Sequence, residues 1–69
     1  MHRLTAGTIL ESRSGKRCAI IFDNNLKYDL LFSRNFQMRD VPLENILREY
    51  RFIETKDRVI DAIEEILDV

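Results

Sequence analysis

Apolar residues change their spacing once along this chain, near Asp40. Before that point they come in short runs and alternations; after it they recur every three or four positions. Thr8–Glu11 reads as a short strand running into Ser12-Arg13-Ser14-Gly15-Lys16, a polar loop whose glycine is free to take positive φ. Arg17–Phe22 is apolar, β-branched and bounded by turn signals on both sides, the signature of a buried central strand. Asp23-Asn24-Asn25 reads as a turn, because Asn and Asp tolerate the left-handed region and bond their own backbone. Residues 26–32 alternate, with Leu26, Tyr28, Leu30 and Phe32 on one face, and 34–39 alternates enough to add a short edge strand.

The second half switches period. Leu43, Ile46, Leu47 and Tyr50 follow i, i+3, i+4, i+7, with Pro42 in the first turn, where its missing N–H costs little. Glu54 and Asp57 break that stripe, so the helix should end near Tyr50, with 51–54 as a connection or a short strand. Thr55 is a fair N-cap for a last helix from Lys56 to Asp68, whose apolar side is Val59, Ile60, Ala62, Ile63, Ile66 and Leu67. The expected fold class is α+β: an antiparallel sheet of three to four strands packed by one or two C-terminal helices. An alternative makes 50–54 the closing strand of a small SH3-like barrel.

Length sets one domain, residues 1–69, and a burden. A domain near 60 residues buries only ~60% of the surface its unfolded chain exposes, and this one has a single cysteine and no second thiol to pair with it. Self-association is one way to make up the difference. The formal net charge of -1 hides two halves of opposite sign. Residues 1–39 hold seven basic and three acidic groups, a balance of +4, and 40–69 hold four and nine, a balance of -5. Such halves can pair head to tail between subunits. No apolar run approaches the ~20 residues of a membrane span, and residues 1–7 lack the core of a secretory signal. A cytoplasmic protein without membrane contact is expected.

Catalytic chemistry finds little to work with. Nucleophilic catalysis needs a nucleophile, a base and a group orienting the base. The only histidine is His2, Cys18 sits inside a strand, and Gly15-Lys16 is a fragment of a phosphate loop at most. Cys18 and His2 cannot make a metal cage. No enzyme activity, catalytic residue, cofactor or metal is expected.

Binding has more to draw on. The C-terminal helix carries Asp61, Glu64, Glu65 and Asp68 beside Ile60, Ile63, Ile66 and Leu67. With Lys56 and Arg58 in its first turn and acids crowding its last two, its charges oppose the helix dipole, so apolar burial has to hold it. That burial is against the protein's own sheet or against a partner. The favoured reading is a small non-catalytic regulatory module working through protein contact, as a homodimer or against a protein with a basic surface. Its contact would use Ile60, Ile63, Ile66 and Leu67, rimmed by the four acids. The alternative is an RNA- or single-stranded-DNA-binding module using Arg13, Lys16, Arg17, Arg34, Phe36 and Arg39, where cations flank an aromatic as base stacking with phosphate neutralisation requires.

Overall fold

The structure is a computed structural model and describes residues 4–67. Asp68 and His2, both weighed above, lie outside them. In chain order the elements are β1 (Thr8–Ser12), β2 (Arg17–Asn24), β3 (Lys27–Phe32), a 3-10 turn (Ser33–Asn35), β4 (Gln37–Pro42), α1 (Leu43–Glu49), β5 (Tyr50–Thr55) and α2 (Val59–Leu67). The strands form one antiparallel sheet in the order β4-β3-β2-β1-β5, with β4 and β5 as its free edges. The fold is α+β, as expected, and the sheet is open rather than closed into a barrel. Its fifth strand is the 50–54 segment that the sequence left between strand and connection.

Alternation along the strands feeds two cores on opposite faces of the sheet. Leu10, Cys18, Ile20, Tyr28, Leu30 and Val41 point to one, where Leu43 and Ile46 of α1 complete it. Ile9, Ala19 and Leu31 point to the other, under Ala62 and Ile66 of α2. β2 is central and buried on both faces, which is why it reads as a continuous apolar run and not as an alternation.

Four boundaries differ from the sequence reading, each for a local reason. The β2–β3 turn is at Asn25-Leu26, not Asp23–Asn25: both residues have positive φ (52° and 67°), the mirror-image turn that matches strand twist. Leu26 is held there by its packing against the first core and by its carbonyl, which accepts the Leu43 N–H. The fourth strand starts at Gln37, because the 3-10 turn takes up Ser33–Asn35. Pro42 precedes α1 with extended backbone instead of joining its first turn. Thr55 does not cap α2. It is the last residue of β5, paired with Thr8, and the Lys56 N–H continues the pairing by donating to the Gly7 carbonyl at 2.9 Å.

That last shift also changes the electrostatics of α2. Lys56 and Arg58 fall before the helix and meet acids of its body: Lys56 Nζ is 2.8 Å from Glu65, and Arg58 Nη2 donates to Asp61 at 2.9 Å. Both sheet edges carry an extra residue. Leu10 and Ile9 pair with Phe52 and Glu54, leaving Ile53 as a bulge in β5; Asp40, at φ +55°, takes part in a bulge in β4. Bulged edges resist strand addition by another chain. No helix among the described residues is long and apolar enough to cross a membrane.

Candidate functional site: a cationic groove lined by aromatic rings

Two loops meet at one end of the sheet. The β1–β2 hairpin tip is closed by Ser12 N–H to the Lys16 carbonyl (2.8 Å) and Gly15 N–H to the Ser12 carbonyl (2.9 Å). Gly15, at φ +88°, supplies the left-handed step. Opposite it, the β3–β4 connection is closed by Phe32 N–H to the Phe36 carbonyl at 2.7 Å. Arg34 stands at its tip with φ +64°, a conformation a non-glycine residue adopts only when its surroundings impose it.

Between these loops runs an open groove of about 890 Å³. Lys16 and Arg17 line it from the hairpin, Arg34 and Phe36 from the β3–β4 connection, and Phe32 and Tyr50 from the sheet. The rings form a cluster, with centroids 5.7 Å apart for Phe32–Phe36 and 6.4 Å for Phe32–Tyr50. The Tyr50 hydroxyl donates to Met38 Sδ at 3.9 Å, and burial raises its pKa, so the phenol stays protonated. Phe36 remains 60% exposed and Met38 40%. No carboxylate lines this groove. Arg17 forms an ion pair with Glu11 at 3.5 Å, while Lys16 and Arg34 form none among the described residues.

Of the six residues that the sequence singled out for nucleic acid, four line this groove: Lys16, Arg17, Arg34 and Phe36. Arg13 does not. Its Nη2 donates to the Arg48 carbonyl at the end of α1 (3.0 Å), in an adjoining cleft of about 410 Å³ that also holds Glu11 and Glu49. Arg39 is exposed on β4 outside the groove. The sequence reading missed Phe32, Met38 and Tyr50. Alternation puts Phe32 on one face with Tyr28 and Leu30 and says nothing of a groove, and nothing local connects Tyr50 with residues eighteen positions earlier.

The α2 residues proposed for protein contact divide differently. Ile66 is 8% exposed and belongs to the second core, Ile63 and Leu67 pack partly against that core, and Ile60 is 48% exposed. Asp61 is half-buried beside Arg58, which holds its carboxyl below the usual range; Glu64 is exposed, and Glu65 is paired with Lys56.

No protein-family model, curated protein or solved structure matches the chain. Cys18 is fully buried and burial pushes its thiol up to about 12, so it is neutral at physiological pH. Among the described residues no three His, Cys, Asp or Glu side chains gather where they could hold a metal ion.

Proposed function

We propose that this chain is a non-catalytic nucleic-acid-binding module, with the groove between the β1–β2 tip and the β3–β4 connection as its site. The observation that carries the reading is the composition of that groove: three cations, exposed aromatic surface and no carboxylate, in a chain whose net charge is -1. A near-neutral protein that gathers three cations around aromatic rings, two of them outside any ion pair among the described residues, presents a local field suited to a polyanion with flat apolar groups. The cations supply affinity that falls with salt, and the rings supply contact that does not.

Fluorescence anisotropy with labelled oligonucleotides at low and moderate salt tests the reading. Binding should weaken steeply as salt rises, and Lys16→Ala and Arg34→Ala should each weaken it for every sequence tried. Absence of binding at low salt would refute it. The protein-contact reading has less to stand on. Of the four apolar residues it names on α2, Ile60 alone is exposed, and the bulged edges discourage extension of the sheet by a second copy. Sedimentation over a range of concentration reads that alternative directly: self-association abolished by Ile60→Ala would favour it.

A further inference from the structure

The rings of the groove are not arranged to clamp a base between them. A base held between two rings needs them parallel and about 7 Å apart, twice the contact distance of carbon atoms. Phe32 and Phe36 are closer than that, at 5.7 Å, and tilted by 56°; Phe32 and Tyr50 stand at 6.4 Å and 49°. These are packed, edge-to-face neighbours, and no base enters between them. Phe32 and Tyr50 are half-buried and brace the cluster, while Phe36 turns 60% of its surface to solvent. The short Phe32–Phe36 backbone bond fixes the ring's base, and Arg34 sits two residues before it in an imposed left-handed conformation.

Resting on the nucleic-acid reading, we infer that the groove takes an unpaired strand, seating one base on the free face of Phe36 with the backbone running from Lys16 and Arg17 to Arg34. Charge complementarity selects the occupant: cations stand on both walls of the groove, and no carboxylate lines it. Base pairing excludes a duplex from the same pose. In a duplex each base face is covered by its neighbours, so a double strand reaches the cations without reaching the ring, unless it bears the cost of extruding a base. With one stacking seat the site is short, and affinity should stop rising at about four nucleotides, the lower end of the range for small single-strand-binding folds.

The test uses the full chain, single-stranded oligonucleotides of graded length and a blunt duplex of matching sequence. Phe36→Ala should weaken single-strand binding by about 5- to 150-fold, the worth of one stacked base, and leave residual duplex binding unchanged. Phe36→Trp should restore it. Because Phe36 is exposed, thermal unfolding of both variants should match the parent, which separates a lost seat from a lost fold. Lys16→Ala and Arg34→Ala should each reduce the slope of log affinity against log salt by about 0.7. If Phe36→Ala binds like the parent while the two cation variants weaken, or if duplex binds as tightly as single strand, the stacking inference is overturned and the nucleic-acid reading survives. If neither form binds, or only an anionic peptide does, both fall.

Discussion

Replacing Ile66 with Ala asks which surface α2 packs on. Ile66 is 8% exposed, in the last turn of α2, with Ala62, Ile9, Ala19 and Leu31 in the same core. Removing a buried isoleucine to alanine costs about 2–5 kcal/mol, the spread reflecting how far neighbours relax into the space. Ile63 and Leu67 lie partly exposed around this core and can shift, which places the loss at about 2–3 kcal/mol. Ile60→Ala is the control. That side chain is 48% exposed, and alanine's better helix propensity offsets the little burial lost, so the change should stay within about 0.5 kcal/mol. Urea unfolding followed by circular dichroism separates the two. With a slope of about 1 kcal/mol/M for a chain this small, Ile66→Ala should lower the midpoint by about 2–3 M, against about 0.5 M for Ile60→Ala. The reverse order, with midpoints that rise with protein concentration, would mean that α2 packs on a second copy, and the argument from the inner core would fail.

Four further outcomes follow from local geometry. Gly15→Ala should cost about 1–2 kcal/mol, from its φ of +88° alone, because open space surrounds the new Cβ. Gly7→Ala should cost more by the same urea assay: at φ +99° its Cβ would also stand 3.2 Å from the Lys56 carbonyl oxygen, part of the backbone that joins β5 to α2. Acid should destabilise the fold through Glu11, whose pKa is lowered chiefly by the hydrogen bond from Arg51. A carboxylate depressed on folding contributes stability above its unfolded value, 4.5 here, and loses it as pH falls through the lower folded value; Glu11→Gln should therefore flatten the stability profile across that window, and an unchanged profile would remove Glu11 from the account. Cys18, buried with a pKa near 12, should react with a thiol reagent only as fast as the fold opens, so its rate should follow the urea transition; fast reaction in buffer alone would contradict its burial.

Much of the architecture was legible because it is written in local periods. The run 17–22 declared a buried central strand, and α1 and β5 divide at Tyr50, the last residue of the helical stripe. Boundaries set by distant partners were not legible. Thr55 has the chemistry of a helix cap, yet its backbone is held by Thr8, forty-seven residues away, with the two hydroxyls 3.3 Å apart. Sheet pairing here outweighs a cap worth about 1 kcal/mol. Once the strand runs on to Thr55, α2 starts later; Arg58 flanks its N-terminus, and Lys56 and Arg58 pair with the acids Glu65 and Asp61 of the helix. The expected charge conflict is thus offset by two ion pairs, while Glu64 and Glu65 still stand in the last turn with no cation of the helix beside them.

The groove illustrates the same limit from the side of function. Phe36 reads as one of an alternating pair with Met38, and an isolated aromatic beside arginines is as well explained by an anchored edge strand as by a binding site. The difference lies in Arg34. By taking the left-handed region it ends the extended backbone after Phe32, so that Phe36 returns beside Phe32 instead of continuing the strand. No residue at position 34 with the freedom of glycine announces that turn, and the second aromatic partner, Tyr50, arrives only when β5 closes onto β1. The hairpin tip then contributes Lys16 and Arg17 from the other wall of the groove, at the same end of the sheet. Each of these residues taken singly has an ordinary structural explanation. Their convergence on one carboxylate-free groove does not follow from packing, since Phe36, Lys16 and Arg34 are all exposed and none of them fills either core. Phe22, Leu47 and Phe52 are exposed as well. Of the exposed apolar side chains among the described residues, however, only Phe36 and Met38 stand among the cations of this groove, the arrangement that the proposed single-strand site requires.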